Sequence, residues 1–288
     1  MNQKSLSCVV IHKGYKPYLK YNLEITSKNN HVYLIGNKEI KFLENLSKNI
    51  TFIDIEKYEN NQKLNYLKEN FQNYSTNSFD FEWFCFARVF ILKEFLNEYN
   101  LDSLFYIDSD NVLLVDVNNL MFEQETAFLV PNNQSKYRMT GSIHSSLISK
   151  NYCNEFEILF NDIYINKERF DLIKEKIDFH QKEKIPGGIC DMTLHYLIYH
   201  EEKLKIHNIL EPFKNKDGEM VVFMNHINNG EGPLSMNNYA LKNEKIKIYN
   251  RNKIFDIILN YKILVCNIHY QGSAKNKINR FTKYFIKY

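Results

Sequence analysis

The chain has 288 residues, 44% of them hydrophobic and 25% charged, the proportions of an ordinary globular protein; disordered and fibrous architectures are excluded. Thirty-seven basic residues against 34 acidic ones leave a net charge of +3, too even a balance for a dedicated nucleic-acid binder. No run of about 18 apolar residues is present to span a bilayer. The opening stretch MNQKSLSCVVIHKGY has too short an apolar part, and no small-residue cleavage site, for a secretory leader, so a cytoplasmic location is expected.

Taken in chain order, LSCVVI (6–11) reads as a buried strand, and His12-Lys13-Gly14-Tyr15 turns into a helical stretch over 17–27. HVYLIG (31–36) and TFIDI (51–55) are further strands, and this alternation predicts a parallel sheet with helical crossovers. Residues 79–99 carry the strongest helix signal, with Phe84, Arg88, Ile91 and Phe95 recurring on one apolar face. LFYIDSD (104–110) is an apolar strand ending in acid, and 126–131 and 141–148 are strands again. Residues 153–182 read as helical and amphipathic, IPGG (185–188) breaks the chain, and 189–200 resumes as helix. Residues 217–250 are loop-rich, with NNGEGP (228–233) as a turn cluster, and KILVCNIH (262–269) is a last strand. One domain over 1–274 is expected, with a basic amphipathic tail over 275–288. The cysteines at 8, 85, 153, 190 and 266 are odd in number and lack metal-knuckle or redox spacing, so reduced, mostly core thiols are expected.

The most informative feature is Asp108-Ser109-Asp110 behind Leu104-Phe105-Tyr106-Ile107. Ligands of open α/β sheets bind beyond the carboxyl ends of strands. Two carboxylates held together there repel, and a divalent cation relieves that repulsion while keeping free positions for phosphate oxygens. The same Asp-Ser-Asp-Asn run is also good turn chemistry, so a solvated acidic turn is the competing reading. Further on, His269-Tyr270-Gln271-Gly272-Ser273-Ala274-Lys275 follows an apolar strand. Gly272 allows close backbone approach to an anion and Lys275 supplies a cation. An imidazole beside two carboxylates suits manganese better than magnesium or calcium.

Together FYIDSD (105–110) and HYQGSAK (269–275) resemble the family 8 glycosyltransferases, whose fold is GT-A: Rossmann-like, with a mostly parallel mixed sheet flanked by helices. The long helix before the acid pair and its arginine, Arg88, extend the resemblance, which spans most of the chain in element order. It implies a nucleotide-diphospho-sugar donor, usually UDP-linked, with Mn²⁺ (or Mg²⁺) on Asp108, Asp110 and His269, Ser109 between the acids, and Gly272 and Lys275 on the diphosphate. It implies a base site at Val10, Ile11, His12 and Tyr15, a glycan or lipid-linked acceptor, and retention of anomeric configuration. IPGGICDMTLHYLI (185–198) resembles the family segment in which an Asp opens a helix at the reaction centre, making Asp191 the catalytic candidate beside Gly187 and Gly188. Where the family commonly has Gln and then Asp, this chain has Met192 and Thr193.

Arg88 interrupts an apolar helical face, and a buried guanidinium needs an anion: Asp110 or a donor phosphate would serve, unless the side chain snorkels at the helix edge. Asp191 is either a helix-start cap or a group for sugar hydroxyls, and in an inverting enzyme it is the general base. Residues 140–144 (TGSIH) are either a donor-sugar wall or a plain strand bend. After Asp256 the chain is free of acid, while Lys275, Lys277, Arg280, Lys283 and Lys287 accumulate opposite Ile278, Phe281, Phe285 and Tyr288. That pattern fits either a helix packed on the domain or peripheral contact with a membrane surface. A sugar nucleotidyltransferase and an inactive nucleotide-sugar-binding protein are the competing functions. The first lacks its Gly-rich basic loop in VVIHKGYKP, and Met192 is what leaves the second open. The Asn-, Lys- and Ile-rich composition points to an AT-rich bacterial genome and to surface-glycan assembly.

Overall fold

The computed structural model describes residues 5–201, 203–224, 253–255 and 262–279. β1 (Cys8–His12) is an apolar, largely β-branched run suited to a strand covered on both faces. Alternation sends Val9 and Ile11 into the core on one face, and Cys8 and Val10 into the core on the other. α1 (Pro17–Thr26) starts with proline in its first turn, where no amide hydrogen is needed. β2 (Val32–Gly36), β3 (Ile50–Asp54), α2 (Glu56–Glu59) and α3 (Gln62–Asn70) follow.

α4 (Phe79–Glu98) is capped by the Ser78 hydroxyl and carries Asp80 and Glu82 in its first turn, where the helix dipole favours negative charge. The single apolar stripe expected through Phe84, Arg88, Ile91 and Phe95 is corrected here. The helix is buried on most sides, by Trp83, Phe86, Val89, Phe90 and Phe95 among others, and Phe84 and Arg88 sit on its partly open side. β4 (Ser103–Ile107), β5 (Asn111–Leu113), β6 (Ala127–Leu129) and β7 (Ser142–Ser149) come next.

The helical stretch expected over 153–182 is two helices. α5 (Lys150–Phe160) runs into a wide-turned segment, Asn161–Ile165, and α6 (Asp171–Glu183) starts after a turn in which Lys167 takes a positive φ of 63°. α7 (Asp191–His200) follows the IPGG break. The short strands β8 (His207–Asn208), β9 (Phe213–Lys214), β10 (Met220–Val222) and β11 (Lys253–Phe255) precede the last pair. The strand expected over 262–269 also divides. β12 (Lys262–Val265) joins β10 and β11, the chain crosses over at Cys266, and β13 (Asn267–His269) pairs antiparallel with β5. NNGEGP and residues 280–288 of the basic tail lie outside the described residues.

The main sheet has seven strands in the order β3-β2-β1-β4-β7-β6-β8. β3, β2, β1 and β4 are mutually parallel, and β7 runs antiparallel to both β4 and β6. The expected α/β class, a mostly parallel mixed sheet flanked by helices, is what forms. α4, α5 and α7 cover one face, and α1 packs Leu19 and Leu23 on the other. Strand order reverses at β1, which lies between β2 and β4. A crevice therefore opens beyond the carboxyl ends of β1 and β4. Among the described residues no helix is long and apolar enough to cross a membrane.

Asn267 fastens β13 in place from a fully buried position. Its amide donates to Asn111 Oδ1 (2.7 Å), Ser145 Oγ (3.2 Å) and the Met224 carbonyl (3.0 Å), and its Oδ1 accepts from the Met224 amide (2.7 Å). Asn267→Ala strands these buried partners and should cost about 3 kcal/mol in urea unfolding, as expected when buried polar groups lose their hydrogen bonds.

Candidate functional site

A cavity of about 530 Å³ opens at the crevice. Ile11 and His12 enter it from the end of β1, Asp108, Ser109 and Asp110 from the turn after β4, and His269 and Lys275 from β13 and the segment beyond. Phe84, Cys85 and Arg88 of α4 form another wall, with Cys190, Asp191 and Met192 at the start of α7.

The acid pair sits in a tight turn. The Asn111 amide donates to the Asp108 carbonyl (3.0 Å), and the Asp108 amide to the His144 carbonyl (2.9 Å). Asn22, fully buried on α1, donates from one amide nitrogen to the carbonyls of Asp108 (3.1 Å) and Ser109 (3.0 Å). The turn chemistry and the ligand-edge position are both real. Sequence reading missed Asn22; its signal was an amide on a helical face otherwise occupied by Leu19 and Leu23.

Asp108 Oδ1 accepts from Arg88 Nη1 (2.6 Å) and from the hydroxyl of buried Tyr106 (2.7 Å). Arg88 Nη2 donates to Asp191 Oδ2 at 2.9 Å. The partner expected for Arg88, Asp110, is therefore corrected: the guanidinium joins Asp108 to Asp191, because its two amino groups point along diverging directions. Asp110 instead faces His269 Nε2 (3.4 Å) and Lys275 Nζ (2.9 Å). Burial opposes ionisation of Asp110, but the His269 ring and Lys275 outweigh it and hold the carboxyl below the usual range. Burial likewise opposes ionisation of Asp191, and the His195 ring with Arg88 brings it down to about 2.

Ligand atoms of Asp108, Asp110 and His269 all lie within 4.8 Å of one another. The His269 ring stacks on His144, centroids 4.3 Å apart, and this wall of 142–144 faces the cavity. Tyr18, also missed from sequence, stands edge-on to His12 at 5.8 Å and lies under Lys275. Burial, then Lys275, lowers the His12 imidazole to about 4, so it is neutral at physiological pH. Glu82, a further lining residue missed from sequence, has its carboxyl raised by burial. Burial also raises the Cys85 thiol and pushes Cys190 up to about 12, which removes both as thiolate nucleophiles.

Two expected base-site residues lie apart from the cavity lining. Val10 is fully buried on the opposite face, because side chains alternate along β1. Tyr15 is outside the cavity lining and packs on Phe42, centroids 5.4 Å apart. The glycines at 187 and 188 do border the cavity, but Gly188 answers a need of the chain itself. It bridges to Ser75, its φ is +127°, and a Cβ would stand 2.0 Å from the Tyr74 carbonyl oxygen. A Cβ on Gly187 would meet the His180 ring at 2.6 Å. Gly272 takes φ +60° with open space around it.

Comparison with solved structures finds glycosyltransferases of low likeness. PaToxG glycosyltransferase is 15% identical, with 69% of this chain and 71% of that one covered and a TM-score of 0.41. GlyE of Streptococcus pneumoniae TIGR4 is 16% identical over 71% of this chain, which spans 45% of GlyE, at a TM-score of 0.35. A glycosyltransferase involved in glycosylation of the major capsid of PBCV-1 is 7% identical, with 96% and 99% covered and a TM-score of 0.37. No family model and no curated protein matches the chain. At these scores the likeness assigns no activity, and the chemistry rests on the cavity.

Two outcomes check this geometry. Gly188→Ala should lower stability by about 3 kcal/mol or more in chemical denaturation, through strain and a backbone clash. The Asp191 carboxyl, depressed to about 2 from 3.8, contributes stability present above pH 3.8 and lost as pH falls through 2. The stability gap between the parent and Asp191→Asn should therefore be widest above pH 4 and close toward pH 2 in urea titrations at stepped pH.

Proposed function

We propose that this protein is a glycosyltransferase that moves a sugar from a nucleotide-diphospho-sugar, UDP-linked by preference, to a hydroxyl of a glycan or lipid-linked acceptor. The observation that carries the reading is the meeting of Asp108, Asp110 and His269 at the carboxyl edge of the strand-order reversal. Two carboxylates and one imidazole within 4.8 Å make a mixed oxygen and nitrogen set that fits Mn²⁺, with Mg²⁺ as the harder alternative. When bound, such a cation neutralises the charge of a departing diphosphate.

The chain's own groups account for the rest of the site. Lys275, paired with Asp110 and half-buried, places a cation where a diphosphate would lie, and Gly272 lets the backbone approach it. His12, Ile11 and Tyr18 form an aromatic and apolar corner suited to a nucleobase, with a neutral imidazole to hydrogen-bond its edge. Arg88 lies between Asp108 and Asp191 and offsets the charge of both.

Asp191 then serves donor-sugar hydroxyls and orients the acceptor. The Arg88 ion pair occupies Oδ2 at 2.9 Å, which favours this role over deprotonation of an acceptor, and retention is the proposed outcome. Met192 is 38% exposed and lines the cavity, so no side-chain nucleophile stands at that position.

Titration calorimetry with UDP and Mn²⁺ tests the reading. The parent should bind UDP more tightly with Mn²⁺ than with EDTA. Asp110→Asn should weaken the Mn²⁺-supported affinity by about 10-fold or more, the usual loss for a perturbed metal site. Equal UDP binding by parent and variant, with and without Mn²⁺, would overturn it. Hydrolysis of a panel of UDP-sugars, with the product anomer read by NMR, then reports donor and stereochemistry.

A further inference from the structure

We infer that Tyr152 and His195 form a buried relay that positions the Asp191 carboxylate from behind, the two residues acting through Asp191 and never touching substrate. The inference rests on the reading that Asp191 faces the donor sugar.

His195 lies one turn after Asp191 on α7, at the i+4 position on the same helical face. It is wholly buried, with the rings of Phe156 and Phe128 at 5.2 and 6.1 Å. A polar ring in such surroundings costs free energy unless its nitrogens are used. Nδ1 is 2.5 Å from the Tyr152 hydroxyl, and Nε2 is 3.6 Å from Asp191 Oδ2.

The hydrogen positions follow from the partners. Tyr152 is also wholly buried, on α5, and burial raises its phenol well above the ordinary value, so it keeps its proton. Among the described residues the one hydrogen-bond partner of its hydroxyl is His195 Nδ1. The hydroxyl therefore donates and Nδ1 accepts. The ring hydrogen then sits on Nε2, the nitrogen that faces Asp191. At 3.6 Å this N–H acts on the carboxylate electrostatically and is longer than a hydrogen bond.

The result is an oriented acid. Oδ2 faces Arg88 Nη2 and the His195 N–H, and Oδ1 accepts from the Met192 amide at 2.9 Å. A lone pair of Oδ1 is left for a substrate hydroxyl. The opposite tautomer would turn a nitrogen lone pair toward Oδ2 and repel it. Tyr152 selects between the two states from the far side of the ring.

The test combines ¹⁵N NMR of the imidazoles with steady-state turnover of UDP-sugars in Mn²⁺. In the parent, His195 should show the Nε2–H tautomer, and Tyr152→Phe should shift it. Tyr152→Phe and His195→Leu should each lower kcat by about 10-fold with donor KM changed less than about 2-fold, as for a misplaced reacting group. His195→Gln, which keeps a donor near the Nε2 position, should recover most of that loss. Asp191→Asn is the reference. If it loses turnover while Tyr152→Phe and His195→Leu keep the parent kcat, the relay is overturned; an Nδ1–H tautomer in the parent overturns it too. If Asp191→Asn keeps the parent rate, the assignment of Asp191 to substrate is what fails, and the tautomer result still decides the relay.

Discussion

A three-residue pairing holds the candidate site together: Asn267–His269 of β13 against Asn111–Leu113 of β5. It sets His269 opposite Asn111, beside Asp110, across more than 150 residues of chain. The backbone bonds on either side, Leu114 to Cys266 and Tyr270 to Asp110, continue the ladder past its ends. Closing so long a loop costs entropy that grows only slowly with length, so a short ladder with a satisfied buried amide is enough to hold it. Asn267 supplies that amide, and its bonds to Asn111 and Ser145 tie β13 at once to the acid-bearing turn and to β7.

Four carboxylates line this cavity, and three of them, Asp108, Asp110 and Asp191, are matched by a cation of the chain. Arg88 serves both Asp108 and Asp191, and Lys275 serves Asp110. Unpaired acids buried this deeply would take up protons instead of ionising. The pairing keeps Asp110 and Asp191 ionised without a bound ion, so the site folds with its charges in place. Arg88 also joins the acid turn after β4 to the start of α7, on two sides of the cavity. Asn22 from α1 and His195 from within α7 support those sides from outside the cavity.

Much of this was legible in the amino-acid order. Apolar runs bounded by polar residues marked β1 to β4, since a strand covered on both faces needs little else. The acid pair and the late histidine were visible because each follows an apolar strand, at the sheet edge where ligands bind. Arg88 was recognisable as needing an anion, but not which one, since helical periodicity places a side chain on a face and says nothing of what packs opposite. The helical pattern over 153–182 and the strand pattern over 262–269 show no break in the sequence. Hydrophobic pattern does not register a turn built from Asn166 to Phe170, nor a crossing between sheets at Cys266, where the apolar run of β12 is interrupted only by Asn267 before Ile268.

Local composition and period thus determined the α/β class, the site's edge of the sheet and the residue types that meet there. Tertiary structure alone decided the pairings. It gave Arg88 to Asp108 and Asp191, it gave Lys275 to Asp110, it sent Val10 into the far core, and it spent the freedom of Gly188 on the chain's own backbone. The reason is physical: propensity and burial act over a few residues, whereas a salt bridge or a close backbone approach depends on which distant segments the packed sheet and helices bring within a few ångströms.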